Sequence, residues 1–132
     1  SKFRQKTIKD LQGPKENFEG EQTIKIGENE TIERRLNVQK SLKIEGAQIM
    51  VKLTGLVKEL DLVLISPSGT KSRILHSSSN LKGNGLDNFI FLSNAFFGED
   101  SKGEWKLRLR KNGTSDMQLK GWSVNINGNE VK

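Results

Sequence analysis

The side chains best suited to nucleophilic chemistry lie together in the run His76-Ser77-Ser78-Ser79, which contains the only histidine of the chain. A serine nucleophile needs a histidine base, an acid that orients this base, and an oxyanion hole. The sequence has no G-x-S-x-G element that would hold such a serine on a sharp turn. A single histidine without any cysteine disfavours a zinc centre and excludes a thiolate nucleophile. We therefore predict that this chain has no catalytic site of its own.

One carboxylate, Asp61, interrupts the otherwise apolar run of residues 60–65. Burial of a bare carboxylate is prohibitive, so Asp61 must be ion-paired, hydrogen-bonded or bound to a metal. The run ends in a sequence typical of a type I turn, because Ser66, Pro67 and Gly69 occupy its first, second and fourth positions. A buried strand that leads into a rigid turn is therefore predicted to position this acid.

Cationic and apolar side chains alternate along a predicted strand nearer the C-terminus. Lys106, Arg108 and Arg110 project from one face, opposite Trp105 and its apolar neighbours. We interpret this cationic ridge in two ways. It contacts an acidic surface of a protein partner, or it is the ordinary polar face of an edge strand, where charges prevent aggregation. The alternation also predicts that Trp105 and Trp122 lie in the core.

The composition describes one domain with a basic surface. The chain has 132 residues, a net charge of +6 and no cysteine, so a core must form without disulfides. Aromatic residues make up only 6% and tyrosine is absent, whereas proteins that bind single-stranded nucleic acid place stacking aromatics along a basic groove. We therefore expect no nucleic-acid partner. No apolar run approaches the roughly 20 residues of a membrane span, and the start at Ser1 without a signal peptide indicates a processed piece of a longer protein.

The pattern along the chain predicts an all-β domain over residues 21–132, preceded by a linker or N-terminal arm over residues 1–20. The arm is basic at its start and contains the helix breaker Gly13-Pro14. Short alternating runs separated by turn residues follow, and no long segment has the 3.6-residue period of a helix. Such a series is typical of a β-sandwich or barrel. The predicted strands include Thr23–Ile26, Thr31–Val38, Leu60–Ser66, Arg73–His76, Phe89–Leu92 and the runs that contain Trp105 and Trp122.

Three motifs in this series resemble those of the P domain (Homo B domain), which follows the catalytic domain of subtilisin-like proprotein convertases such as kexin and furin. They occur in the family's order over roughly residues 30–130. The motifs are Asp61-Leu62 with Ser66-Pro67-Ser68-Gly69-Thr70, then Gly85-Leu86-Asp87-Asn88-Phe89, and finally Phe97-Gly98-Glu99 with Gly103-Glu104-Trp105.

The resemblance implies a jelly-roll-like β-sandwich, similar to galactose-binding domains and without catalytic residues. The implied role is that of a C-terminal accessory domain that packs against a subtilisin-like catalytic domain in the same chain. There it would stabilise that serine protease and modulate its activity or its binding of protein substrates, in a secreted or cell-surface protein. The chain departs from the family at Phe89 and Phe97, where tryptophans are common, and these changes concern contacts with a protease domain.

Each matched motif contains one acid, and the resemblance groups Asp61, Asp87 and Glu99 as candidate calcium ligands. In the alternative interpretation, Asp61 and Glu99 accept hydrogen bonds from loops and fix turns. The function also has an alternative, an independent jelly-roll module that binds carbohydrate or protein as adhesins do. An exposed row of aromatic residues on the concave sheet would favour that module.

Overall fold

Strands make up most of the protein. The computed structural model describes residues 7–11, 13–77 and 83–130. Within these ranges the helical elements are two short 3₁₀ turns, Gly20–Gln22 and Val57–Glu59, and no helix is long and apolar enough to cross a membrane. The strands are β1 (Thr7–Leu11), β2 (Lys15–Asn17), β3 (Ile24–Ile26), β4 (Thr31–Val38), β5 (Leu42–Leu56), β6 (Leu60–Ile65), β7 (Lys71–Leu75), β8 (Asn84–Ser93), β9 (Gly103–Lys111) and β10 (Met117–Glu130).

These strands form two antiparallel sheets. In the larger, six-stranded sheet the order is β1-β10-β5-β8, and β2 and β3 also pair with the long strand β10. In the four-stranded sheet the order is β4-β9-β6-β7. The two sheets enclose one apolar core, so the predicted all-β sandwich is confirmed.

The core follows from the alternation of side chains along each strand. Leu60, Leu62 and Leu64 of β6 are fully buried, whereas Asp61 and Val63 are partly exposed on the outer face. The same alternation along β9 buries every second residue between the sheets. The predicted strand at residues 60–66 is therefore apolar toward the core and carries its acid on the other face.

The two tryptophans lie in the core, as the alternation predicts. Trp105 is completely buried and Trp122 is 2% exposed. The Trp105 ring meets the ring of Phe96 edge-on, with 5.0 Å between centroids. Its Nε1 donates a hydrogen bond to the carbonyl oxygen of Ser101 at 2.8 Å, so the polar atom of the indole is satisfied inside the core.

The described part of the N-terminal segment belongs to the larger sheet. β1 and β2 both pair with β10. Glu16 of β2 accepts hydrogen bonds from Arg34 at 3.1 and 2.8 Å and from Nε1 of Trp122 at 2.9 Å. The segment interpreted as an arm therefore packs on the sandwich as edge strands, while the domain boundary at residue 20 stays a prediction.

Candidate functional site

Asp61 is held by hydrogen bonds at the start of β6. Its Oδ1 accepts from the backbone N–H of Ser77 at 2.7 Å, and its Oδ2 accepts from Nδ2 of Asn112 at 2.6 Å. Ser77 follows β7 and Asn112 follows β9, and these two strands flank β6 in the sheet. Asp61 thus ties two loops to one strand, which is the arrangement that the turn-fixing interpretation predicts.

These hydrogen bonds keep Asp61 charged. Partial burial by itself raises the pKa of Asp61, because burial disfavours the anion. The bonds from Ser77 and Asn112 outweigh this effect and lower the pKa below its ordinary value. The outer face of the sheet therefore carries a fixed negative charge at this position near neutral pH.

Glu99 fastens the turn that follows β6. Its Oε1 accepts a hydrogen bond from the hydroxyl of the buried Ser66 at 2.7 Å and another from the hydroxyl of Ser68. Burial raises the pKa of Glu99, but the bonds from Ser68 and Ser66 lower it below its ordinary value. The N–H of Gly69 donates to the carbonyl oxygen of Ser66 at 2.9 Å, as expected for the predicted turn. Two of the motifs that carry the family resemblance therefore meet in space.

The structure does not bring the three candidate calcium ligands to one point. Asp61 is the second residue of β6, whereas Glu99 contacts the turn beyond the other end of β6, about 16 Å away for a strand of this length. Asp87 is exposed on β8, in the other sheet. Among the described residues no group of three or more His, Cys, Asp or Glu side chains could hold a metal ion. The acids occupy three separate positions, and calcium binding stays a prediction.

The cationic ridge lies on the outer face of the four-stranded sheet. β9, which carries Lys106, Arg108 and Arg110, pairs with β4 on one side and with β6 on the other. It is therefore an interior strand, so the interpretation as the face of an edge strand is wrong in this respect. The ridge stands in the middle of a sheet face and is framed by side chains from the neighbouring strands.

Two ridge residues have fixed partners. Arg108 donates to a carboxylate oxygen of Glu33 on β4 at 3.2 Å. Arg110 donates from Nε to the Asn112 amide oxygen at 2.8 Å and from Nη1 to the Thr31 hydroxyl at 3.2 Å. The guanidinium group of Arg110 is therefore oriented by neutral acceptors, while that of Arg108 is paired with an acid.

A cavity of about 190 Å³ opens beside the ridge, and we call it the arginine cavity. It includes Arg73 of β7, for which the sequence pattern predicts no role. The sequence places Arg73 in a predicted strand but does not show that it lies near the ridge. That proximity depends on which strands pair in the sheet. The lining residues are Thr31, Asp61, Val63, Arg73, Leu75, His76, Arg108 and Arg110.

His76 and Ser77 stand beside this cavity. His76 lines it, while Ser77 donates its backbone N–H to Asp61 and its hydroxyl lies 3.3 Å from the Asn112 amide nitrogen. Ser78 and Ser79, the other members of the run, lie outside the described residues. The two described members thus belong to a loop that is fastened to Asp61.

β8 ends the strand order of the larger sheet, and this strand and the loop after it expose large apolar side chains. Phe89 is 42% exposed and Ile90 is 50% exposed, and the values for Leu92 and Phe97 are 73% and 71%. The rings of Phe89 and Phe91 are 4.7 Å apart between centroids. We call Phe89, Ile90, Leu92 and Phe97 the apolar edge. It includes both positions at which the sequence has phenylalanine where the family commonly has tryptophan.

A second cavity, of about 340 Å³, lies on the larger sheet, where β2, β5, β8 and β10 contribute to it. Its lining is rich in amide groups and includes one lysine, so we call it the amide cavity. The lining residues are Gly13, Lys15, Asn17, Met50, Asn88, Gly121, Trp122, Ser123 and Asn125.

Two antiparallel sheets around one core, with acids that fasten the loops, define an all-β sandwich domain. The profile of the proprotein convertase P-domain matches residues 44–126, which is more than half of the chain. The chain belongs to this family, and the predicted resemblance is confirmed.

Relatives of the chain include a bacterial serine protease and a human proprotein convertase. The extracellular serine protease of Aeromonas sobria is 34% identical over an alignment of 94 residues that covers 59% of this chain and 15% of that protein. Human proprotein convertase subtilisin/kexin type 6 is 32% identical over an alignment of 77 residues that covers 53% of this chain and 8% of that protein. The matched residues thus span a small part of each relative.

A solved structure shows the same fold. The Aeromonas sobria serine protease, crystallised in complex with a chaperone, superposes with a TM-score of 0.79 at 22% identity. The match covers 96% of this chain and 28% of that one. At this identity the likeness concerns the fold alone.

Proposed function

We propose that this chain is the non-catalytic C-terminal accessory domain of a subtilisin-like serine protease, which it stabilises and whose activity or substrate binding it modulates. Membership of the P-domain family supports this proposal, as does the identity of its relatives as much longer serine proteases. The parent protease is expected to be secreted or on the cell surface, in line with the extracellular Aeromonas relative.

The observation that carries the proposal is the apolar edge. Four large apolar side chains on or next to one edge strand remain between 42% and 73% exposed. Burial of apolar area is favourable by about 25 cal/mol per Å², and exposed apolar patches mark interaction surfaces. A catalytic domain in the same chain would cover this edge, and the covered area would stabilise both domains.

The first test is the reading frame upstream of Ser1. The proposal expects it to encode a subtilisin-type set of Asp, His and Ser that ends shortly before this chain. An upstream region without such a set would contradict the protease role, while the fold and family would remain.

The second test uses the parent protein with Leu92→Ser and Phe97→Ser. Both side chains are largely exposed, so the melting temperature of the isolated domain should hardly change. The melting temperature of the catalytic domain should fall, because the interface between the two domains loses the apolar area that Leu92 and Phe97 bury there. Lys25→Ser, an exposed change on β3, is the control. An unchanged catalytic domain would contradict contact through this edge.

The cationic ridge is proposed as a second contact, with an acidic surface of the protease or of a protein substrate. Lys106, Arg108 and Arg110 lie on one sheet face, and charges on such a face mainly raise association rates. Exchange of Lys106 and Arg108 for glutamine should lower the rate of substrate association and weaken its dependence on salt.

A second candidate is an independent module that binds carbohydrate. The amide cavity favours it, because amide groups such as those of Asn17, Asn88 and Asn125 hydrogen-bond sugar hydroxyls. Trp122 also lines this cavity. A saturable change of tryptophan fluorescence with a panel of oligosaccharides, lost in Asn125→Ala, would support this module. If no oligosaccharide of the panel changes the fluorescence, the protease role is the better proposal.

A further inference from the structure

The arginine cavity places two guanidinium groups around one short apolar side chain. Val63 of β6 is directly opposite Arg73 of β7 and directly opposite Arg108 of β9. Opposite residues on one face have Cβ atoms about 4.5–5.5 Å apart. Arg110 is the next outward-facing residue of β9, two positions after Arg108, and lines the same cavity. Three arginines therefore border a recess above Val63.

Part of this positive charge has no ion pair within the described chain, although Asp61 lies directly opposite Arg110 on β6. Arg110 is held by the neutral oxygens of Asn112 and Thr31. Neither Arg73 nor Arg110 forms an ion pair among the described residues, whereas Arg108 is paired with Glu33. An oriented guanidinium group is pre-organised for a planar or tetrahedral oxyanion, since its N–H groups form a rigid fork.

The size of the cavity limits the ligand. At about 190 Å³ it lies below the usual range of about 300–1,000 Å³ for sites that enclose drug-sized molecules. A single oxyanion fits this volume better than a nucleotide or an oligosaccharide. The expected ligand is therefore one small anionic group.

Asp61 restricts which anion this can be. Its carboxylate lines the cavity and already accepts one hydrogen bond at each oxygen. A carboxylate has about four acceptor positions, so it can accept another hydrogen bond but can donate none while ionised. Sulfate has no proton at neutral pH and would be repelled by Asp61. Inorganic phosphate always keeps at least one P–OH group at neutral pH, and this group can donate to Asp61.

We propose that the arginine cavity is a binding site for a protonated phosphate group, with Arg73, Arg108 and Arg110 as donors to its oxygens and Asp61 as acceptor of its proton. The arginines provide affinity and Asp61 provides selectivity against sulfate. This site goes beyond the proposed accessory role and does not depend on it.

The test is a calorimetric titration of the 132-residue chain with inorganic phosphate, sulfate and acetate at pH 7 and constant ionic strength. Phosphate should bind saturably and several-fold more tightly than sulfate or acetate. Arg73→Gln should weaken phosphate binding about tenfold, as expected for the loss of one charge-assisted hydrogen bond. Arg73 is exposed and without an ion pair in the described chain, so the melting temperature of this variant should match the wild type.

Arg35→Gln is the matched control, because Arg35 lies on the same sheet face but outside the cavity. It should change the dissociation constant for phosphate by less than about twofold. Equal weakening by Arg35→Gln and Arg73→Gln would overturn the proposal in favour of diffuse attraction. Equal affinity for sulfate and phosphate, or the absence of saturable binding at tens of millimolar phosphate, would also overturn it.

Discussion

Glu99 accepts a hydrogen bond from the hydroxyl of Ser66 across 33 residues of sequence, at 2.7 Å. Ser66 is 3% exposed and its Oγ also accepts from the backbone N–H of Thr70 at 3.2 Å. The serine of the S-P-S-G-T turn is therefore a junction between the end of β6, its own turn and the loop after β8. This explains in physical terms why a serine and a glutamate are found in these two motifs.

Ser66→Ala should destabilise the domain more than Ser68→Ala. The first change removes the hydroxyl partner of the Thr70 N–H and of the Glu99 carboxylate in a partly buried place, at a cost of about 1–3 kcal/mol. Ser68 is exposed, so water can replace its hydroxyl at Glu99. Urea denaturation of both variants measures the difference, and equal stabilities would contradict this account of the junction.

Glu16→Gln should loosen the N-terminal edge strands. Glu16 accepts two hydrogen bonds from Arg34 and one from Trp122, and a hydrogen bond to a charged group contributes about 1.5–3 kcal/mol net of the exchange with water. The variant should show faster amide exchange at residues 15–17. Glu19→Gln, an exposed change on the same segment, should leave exchange unchanged. Wild-type exchange rates in Glu16→Gln would show that this contact does not hold β2.

Acid should destabilise the fold through Glu16. Burial raises the pKa of Glu16, but the bonds from Arg34 and Trp122 and the charge of Arg34 lower it below its ordinary value. A carboxyl group whose pKa is lower in the folded state contributes its stability above the unfolded pKa, and this contribution is lost as the pH falls through the folded pKa. The free energy of unfolding should therefore decrease below about pH 5. The decrease should be shallower in Glu16→Gln, and parallel pH profiles would contradict the linkage.

If this domain binds calcium, millimolar Ca²⁺ should raise its melting temperature and a chelator should reverse the change. The reason is that a ligand of the folded state stabilises that state by mass action. Since the three acids lie apart, Asp61→Asn, Asp87→Asn and Glu99→Gln should be measured one at a time. The variant that loses the calcium response identifies the ligand. A melting temperature that neither calcium nor chelator changes would contradict a calcium site in this domain.

Sequence patterns predict those parts of this fold in which each strand has one buried face. The alternation around Trp105 and the run Thr31–Val38 correspond to β9 and β4, because burial of every second residue leaves a visible period. Two short alternating runs, residues 42–44 and 49–53, are separate in the sequence pattern, but β5 joins them into one strand because residues 46–48 pair with β10. Local patterns do not contain that information.

The site is less accessible to sequence reasoning, because its members meet only through strand order. Arg73 joins Arg108 because β7 and β9 both pair with β6. The N-terminal strands are ordered by β10, which pairs with β5 along one edge and with β1, β2 and β3 along its other edge. Motif acids are visible in the sequence, but whether they share a ligand depends on these long-range pairings.

Gly103 and Gly69 allow a last prediction, because both have a positive φ but only one is crowded. Gly69 has φ +94° and open space at the position of a Cβ atom, whereas Gly103 has φ +131° and would place its Cβ 2.7 Å from Cβ of Pro67. Gly69→Ala should therefore cost only the backbone strain of about 1–2 kcal/mol. Gly103→Ala adds an overlap that displaces the turn, which costs a further 1–3 kcal/mol or so. Thermal unfolding should rank wild type above Gly69→Ala and both above Gly103→Ala, and the reverse order of the two variants would show that Pro67 yields to the added methyl group.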